Sequence, residues 1–307
     1  MTLAVPTTSS DVAGIPSLDA CPWCGAPLAG EPVRCRACGV GITRPWPSDG
    51  ELERAYAGAY RPRDGRFAGP VDALLHRTRG ALARRLDGIA PPGTVLDVGA
   101  GDGALVAALR ARGREAVGLE RDAAPALDGV TAASLDDLDG PFAAIVFWHS
   151  LEHLREPGEA LSRAASLLLP GGVLVVALPN AESLQARAFG EGWLALDRPR
   201  HLVHVPAAAL RERLAASGLR VERESHWRGG QVAFGWLHGL VGLVPGTGDL
   251  YDAVRRPAAR QNGALGAGRR AASLAAGALL APAALAASAV EVAARAGGSV
   301  YVEARRG

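Results

Sequence analysis

The sequence predicts an α/β protein, a doubly wound parallel sheet with a small cysteine-held ribbon before it and an apolar helical insertion near its end. Three observations carry this. Short apolar runs alternate with helix-spaced segments from Thr94 to Leu178, the pattern of strands buried on both faces and joined by crossing helices. The run TVLDVGAGDG at 94–103 passes from a strand into a glycine-rich turn, and ALVAALRAR at 104–112 continues as a helix that stops at Gly113. Four cysteines, Cys21, Cys24, Cys35 and Cys38, stand as C-x2-C-x10-C-x2-C.

Residues 1–18 form a leader, expected to be flexible, that lacks both a basic start and a long apolar run and so does not read as an export signal. The ribbon occupies 19–45. Each CxxC knuckle is followed by glycine (Gly25, Gly39), an arrangement that presents four thiolates to one tetrahedral ion, usually Zn²⁺. Two vicinal disulfide or redox pairs are the competing reading. With every position filled by cysteine no site is open for water or substrate, so the metal is expected to be structural and to fold a segment too short for its own core. Reduced thiols without an export signal point to the cytoplasm.

Residues 46–92 hold a connector containing Pro47, Tyr56, Tyr60 and Pro62, then a helix pattern from Val71 to Leu86. Strands are expected at 94–98, 115–120, 129–132, 143–148 and 173–178. Helix 207–216 leads to a strand at 219–224, and the chain ends on a strand at 299–304. Between these two strands lies an apolar, glycine-rich insertion, 226–298.

The charge balance limits the partners. With 33 basic against 31 acidic residues the net charge is +2, too small for a nucleic-acid footprint. Every basic residue is arginine, which marks a compositional bias and lowers the information in any one of them.

Gly99, Gly101 and Ala104 also fit a nicotinamide fingerprint, so the glycines alone are ambiguous. Asp97 precedes the first glycine where a carboxylate can meet the ammonium end of an amino-acid-like ligand. Glu120 closes the next apolar run, placed for ribose hydroxyls. AAIVFWHSLEHL at 143–154, LLLPGGVLVVALPN at 167–180 and DRPRHLVH at 197–204 follow. With these segments the chain resembles the class I S-adenosylmethionine-dependent methyltransferases over about 93–225, with a last match at SVYVEARRG. The resemblance implies a Rossmann-like seven-stranded sheet ending in an antiparallel strand, with a cap at 181–205 and 299–307 completing the core. It implies that Asp97, Gly99, Ala100, Gly101, Asp102 and Gly103 hold the methionine part of the cofactor and Glu120 the ribose. Ser134, Leu135 and Asp136 fall at the adenine edge, and Trp148 and His149 at the strand end beside it.

Methyl transfer from a sulfonium chiefly requires alignment of the nucleophile and removal of its proton. Ligands bind beyond the carboxyl ends of parallel strands, which favours His149 and His153 over His76. The candidates for a base or an acceptor-holding group are His153 and His201. Each has a plainer reading: His153 as a helix-start hydrogen-bonding residue, and His201 as part of a proline-restrained loop. Arg198 and Arg200 either fix an anionic substrate or form salt bridges. The expected acceptor is a small molecule: a sugar, a quinone-like or polyprenyl compound, or a lipid intermediate. An RNA methyltransferase and a non-catalytic scaffold are the alternatives.

Residues 271–290 are uncharged and long enough in helical rise to match a bilayer, and Arg255, Arg256, Arg260, Arg269 and Arg270 precede them. With SVYVEARRG expected to return to the sheet as its last strand, both ends of the insertion lie on the same side, and Pro282 is expected to interrupt the helix, which disfavours a single span. The remaining readings for 231–294 are a shallow helical hairpin in peripheral contact with the inner face of the membrane, and an Ala-rich lid over the pocket.

Overall fold

The computed structural model describes residues 18–57, 69–121, 128–227, 230–256 and 265–307. The leader, save its last residue, and Tyr60, Pro62 and Arg260 lie outside the described residues. In chain order the strands are β1 (Gly41–Ile42), β2 (Val95–Val98), β3 (Ala116–Leu119), β4 (Val130–Thr131), β5 (Phe142–Trp148), β6 (Leu168–Pro179), β7 (Val203–His204), β8 (Leu219–Ser225) and β9 (Ser299–Arg306). The helices are α1 (Asp49–Tyr56), α2 (Gly69–Ile89), α3 (Ala104–Arg110), α4 (Pro157–Leu167), α5 (Leu184–Phe189), α6 (Ala207–Ala216), α7 (Gly230–Gly242), α8 (Leu250–Val254) and α9 (Ala267–Ala293).

Seven strands form one sheet in the order β4-β3-β2-β5-β6-β9-β8. Strands β2 to β6 are parallel where they pair, and only β9 is reversed, antiparallel to both β6 and β8. This is the expected seven-stranded sheet, with its reversed last strand inserted inside the edge.

Successive residues of each strand face opposite layers, which explains the choice of side chains. Leu96, Ile145, Phe147, Leu174 and Val176 enter the larger core, while Val95, Ala144, Val146, Val173 and Val175 enter the other. The small residues of the second face admit Leu82, Ala83 and Leu86 of α2 and Leu105, Val106 and Leu109 of α3. A bidentate pair from Arg85 to the buried Glu303 of β9, at 2.8 and 2.6 Å, fastens α2 across the sheet.

Three local expectations differ from the structure. LEH at 151–153 forms a single 3-10 turn, and the helix begins only at Pro157, whose fixed φ suits a first helical position. The strand expected at 173–178 starts earlier, so LPGG lies inside β6, where the register against β5 shifts between Phe142 and Ala144. Pro282 does not end the helix: α9 runs unbroken for 27 residues with Pro282 exposed on its surface.

The ribbon is built into the larger core. Trp23, Val40, Ile42 and Trp46 are buried with Leu151, Leu202 and Val203, and β1 pairs antiparallel with β7. Gly158 at the start of α4 makes this docking possible, because a Cβ there would lie 2.0 Å from the Trp23 carbonyl oxygen.

Candidate functional site

The glycine turn between β2 and α3 lies at the carboxyl end of the parallel strands. Gly99, Gly101 and Gly103 all have positive φ, at 81°, 64° and 70°, a region that side chains with a Cβ rarely enter. At Gly99 a Cβ would also meet the Ser150 Cβ at 2.4 Å. The Glu120 carboxylate at the end of β3 reaches this turn and accepts from the Gly101 N–H at 2.6 Å. Asp97 is buried in β2, Ala100 is buried behind the turn, and Asp102 accepts from the Ala104 N–H at 3.1 Å. The turn and acidic strand end therefore form one concave cradle of backbone and carboxylate, which suits a nucleoside bearing an amino-acid chain. Farther along, Leu135 is buried in a 3-10 turn capped by Ser134, and the exposed Asp136 lies 4.0 Å from Arg163.

The second half of the site gathers around Glu152. His149 follows β5 with φ 54°, and Trp148 packs edge-on to Tyr301 beneath Arg79. His149 Nδ1 lies 3.4 Å from Glu152 Oε1, and its Nε2 is 3.4 Å from the Gln231 amide of α7. His153 and His201, 48 positions apart in sequence, meet edge to face with ring centroids 4.6 Å apart. Tyr56 Oη is 2.8 Å from His153 Nδ1, and the Arg200 carbonyl is 2.9 Å from the same nitrogen. His201 Nδ1 donates to the Ala195 carbonyl at 2.8 Å. Its Nε2 is left 4.0 Å from Glu152 Oε1 and 3.8 Å from Asp197 Oδ2.

The charges at this cluster are set by burial and by one another. Burial alone pushes the Glu152 carboxyl up, but the His149 hydrogen bond and the fields of His153, His149 and His201 reverse this and hold it at about 2. Burial, then repulsion from His201, pushes His153 down to about 4. Burial also pushes His204 down to about 3, helped by His201 and Arg198. The result is a buried carboxylate ringed by imidazoles, with His153 and His204 neutral at physiological pH.

Residues 73–224 match the profile of the family described as "Methyltransferase domain". Residues 73–224 form a methyltransferase domain of that family. Similar solved structures include an adenosylmethionine-dependent methyltransferase from Archaeoglobus fulgidus, 17% identical, covering 75% of this chain and 94% of its own with a TM-score of 0.46. The [4+2]-cyclase SpnF is 19% identical, with 87% and 98% covered and a TM-score of 0.48. The 1,6-didemethyltoxoflavin-N1-methyltransferase of Burkholderia thailandensis is 18% identical, with 60% and 86% covered and a TM-score of 0.42. No curated protein sequence matches the chain.

In this methyltransferase the glycine turn and Glu120 share one cradle, and His149, His153 and His201 share one cluster. Sequence reasoning missed Glu152 as the centre of that cluster, and with it Asp197, Tyr56 and Gln231. Glu152 stood next to a noted histidine in LEH and Asp197 opened the noted DRPRHLVH segment; Tyr56 and Gln231 reach the site only through tertiary contacts. Arg198 pairs with Glu191 at 2.9 Å on the surface, and Arg200 pairs with Asp197 beside His201.

The four cysteines of the methyltransferase also converge. Cys21 Sγ lies 3.7 Å from Cys38 Sγ, Cys24 Sγ lies 3.8 Å from Cys35 Sγ, and all four sulfurs lie within 4.8 Å of one another. A disulfide requires about 2.05 Å, whereas the edge of a tetrahedron with metal–sulfur bonds of about 2.3 Å is roughly 3.8 Å. Just beyond the ribbon, Thr43 donates to the His201 carbonyl at 2.6 Å and lies 3.0 Å from His204 Nε2. The cysteine ribbon thus carries the strand that props the loop bearing His201.

Proposed function

We propose that this enzyme methylates a small-molecule acceptor and that His201, backed by Glu152 and Asp197, takes up the acceptor's proton. The observation that carries the reading is the His201 hydrogen bond to Ala195. A carbonyl can only accept, so Nδ1 carries a proton, and it is the neutral form of the ring that presents the Nε2 lone pair between Glu152 and Asp197. These carboxylates are placed to take up the charge that a transferred proton brings. His153, held neutral by burial and tied to Arg200 and Tyr56, acts as a positioning residue against the His201 ring.

Bound adenosylmethionine supplies an electrophilic methyl on a sulfonium. The Gly99–Gly103 turn receives its amino-acid end together with Asp97, Glu120 takes the ribose, and Leu135 and Asp136 flank the adenine. A buried cluster and a near-neutral chain favour a compact acceptor over RNA. The four sulfurs fit one structural Zn²⁺, whose work is to hold the ribbon against the core.

Incubation of the enzyme and labelled adenosylmethionine with fractionated cell extract tests the reading. Label should enter a low-molecular-weight product. His201→Ala should lower kcat by about 10²–10⁴ while cofactor affinity stays within about twofold. Label recovered in RNA would overturn the acceptor class, and full turnover in the variant would remove the base.

A further inference from the structure

Helix α9 is inverted relative to a helix of a soluble core. Its buried positions are Ser273, Gly277, Ala284, Ser288 and Glu291, whereas Leu279 is 82% exposed and Leu285 and Val290 are each 62% exposed, with Leu274 also outside. Only 22% of the residues in its most apolar stretch are buried, although the helix has the length and composition to cross a membrane. The inward face of small residues packs along α7, and its Gly277 turns to Leu250 of α8. Helix α7 is in turn pressed against α5: a Cβ on Gly235 would lie 2.1 Å from Gln185, and one on Gly239 2.4 Å from Phe189. Small residues between helices with large apolar ones outside are how helices pack in lipid, where the exterior need not be polar.

We infer that the α7–α9 hairpin is a peripheral docking element whose outer α9 face rests in the interfacial layer of an anionic bilayer. Charge favours this occupant. Residues 226–298 contain seven arginines against three acidic residues, so the positive excess of the chain is concentrated here; two of the acids, Asp252 and Glu291, and one arginine, Arg255, are buried. Residues 271–290, about 30 Å of helix, carry no charge. Arg269 and Arg270 precede them, donating to the Thr247 and Ala253 carbonyls, and the exposed Arg295 follows. The outer surface is alanine and Pro282 bordered by leucine and valine, without the Trp, Tyr or Arg anchors that dominate interfaces between proteins, and a fluid lipid phase requires no matching shape.

The helix lies on the membrane and does not cross it. Ser273 bonds Gly248 at one end, Glu291 bonds Gln185 at the other, and the buried positions pack along the length between them. Because Gln231 of α7 reaches His149, docking sets the active site beside the bilayer surface, where an acceptor on an acyl or prenyl chain can be delivered. That last step rests on the small-molecule reading of the site; the docking does not.

Flotation of the full chain with vesicles of phosphatidylglycerol and phosphatidylcholine, against phosphatidylcholine alone, tests this beside the Leu279→Glu/Val290→Glu variant. The wild type should float with the anionic vesicles at low salt and less at high salt. The variant should bind about a hundredfold more weakly, with unchanged melting temperature and cofactor affinity, since both side chains are exposed. A wild type that stays in the soluble fraction, or a variant that floats equally well, overturns the inference. So does a vesicle-independent dimer that the same substitutions dissociate, because the face then joins two copies of the chain.

Discussion

The glycine turn and the Glu152 cluster are each sensitive to one atom. Gly101 sits at φ 64° with its N–H on Glu120, so Gly101→Val forces a β-branched residue into the left-handed region beside the ligand cradle, at a strain of about 1–3 kcal/mol. Calorimetry should show adenosylmethionine affinity reduced at least about tenfold in a protein whose ribbon remains folded; unchanged affinity would take the cofactor from this turn. The depressed pKa values give the cluster a pH signature. His153 and His204 titrate at about 4 and about 3 when folded but near 6.5 when unfolded. The unfolded chain therefore binds more protons as pH falls below about 6.5, and stability should decline by about 1.4 kcal/mol per pH unit for each histidine until its folded pKa is reached. Glu152, held at about 2, adds a loss of the same sign below its unfolded value near 4.5. Chemical denaturation at stepped pH measures this. The decline should be shallower in His153→Phe, and an identical slope would mean that His153 is not held neutral.

At the scale of elements, one buried carboxylate ties the hairpin to the cap. Glu291 of α9 accepts from the Gln185 N–H at 2.9 Å, from its amide at 2.7 Å and from Trp236 Nε1 at 2.9 Å, and so joins α5, α7 and α9. Glu291→Ala takes the acceptor from two buried donors of Gln185 and the part-buried Trp236 Nε1, each loss costing roughly 1–3 kcal/mol. Thermal melting should show a loss of at least about 3 kcal/mol, and hydrogen exchange should show faster opening of α7 and α9 than of β5 and β6. A variant as stable as the parent would mean that apolar packing alone holds the hairpin. This network also shows why α9 was only partly legible. Its uncharged length was plain from composition, but which face turns inward was not: the buried Ser273 accepts from the Gly248 N–H and Gly277 faces Leu250 of α8, tertiary partners that no spacing within the helix announces. Likewise, Pro282 was read as a break although an exposed proline can sit on the outer surface of a long helix without ending it.

Across the whole molecule, the sheet was legible because strands buried on both faces read as continuous apolar runs, and the cysteine spacing marked the ribbon as a unit. What spacing could not reveal is that the ribbon and the 197–204 loop bearing His201 share a core. That depends on Gly158 having no Cβ against Trp23, on β1 pairing with β7, and on Thr43 donating to the His201 carbonyl. The cysteine cluster and the histidine cluster are therefore coupled through structure, although they are distant in sequence. Removing the metal, by chelation or by Cys35→Ser, should release the side chains of Trp23, Val40 and Ile42 from the larger core along with the cysteine tetrahedron. Losing a few kcal/mol of that packing lowers the melting temperature by on the order of 10 °C for a chain of this size. Below that melt, turnover should fall because the 200–204 loop loses its strand partner, while adenosylmethionine affinity persists because its cradle lies between β2 and α3. Metal analysis should give one zinc per wild-type chain and none in Cys35→Ser. A metal-free protein with the parent's melting temperature and turnover would show that the ribbon folds and functions as an independent appendage.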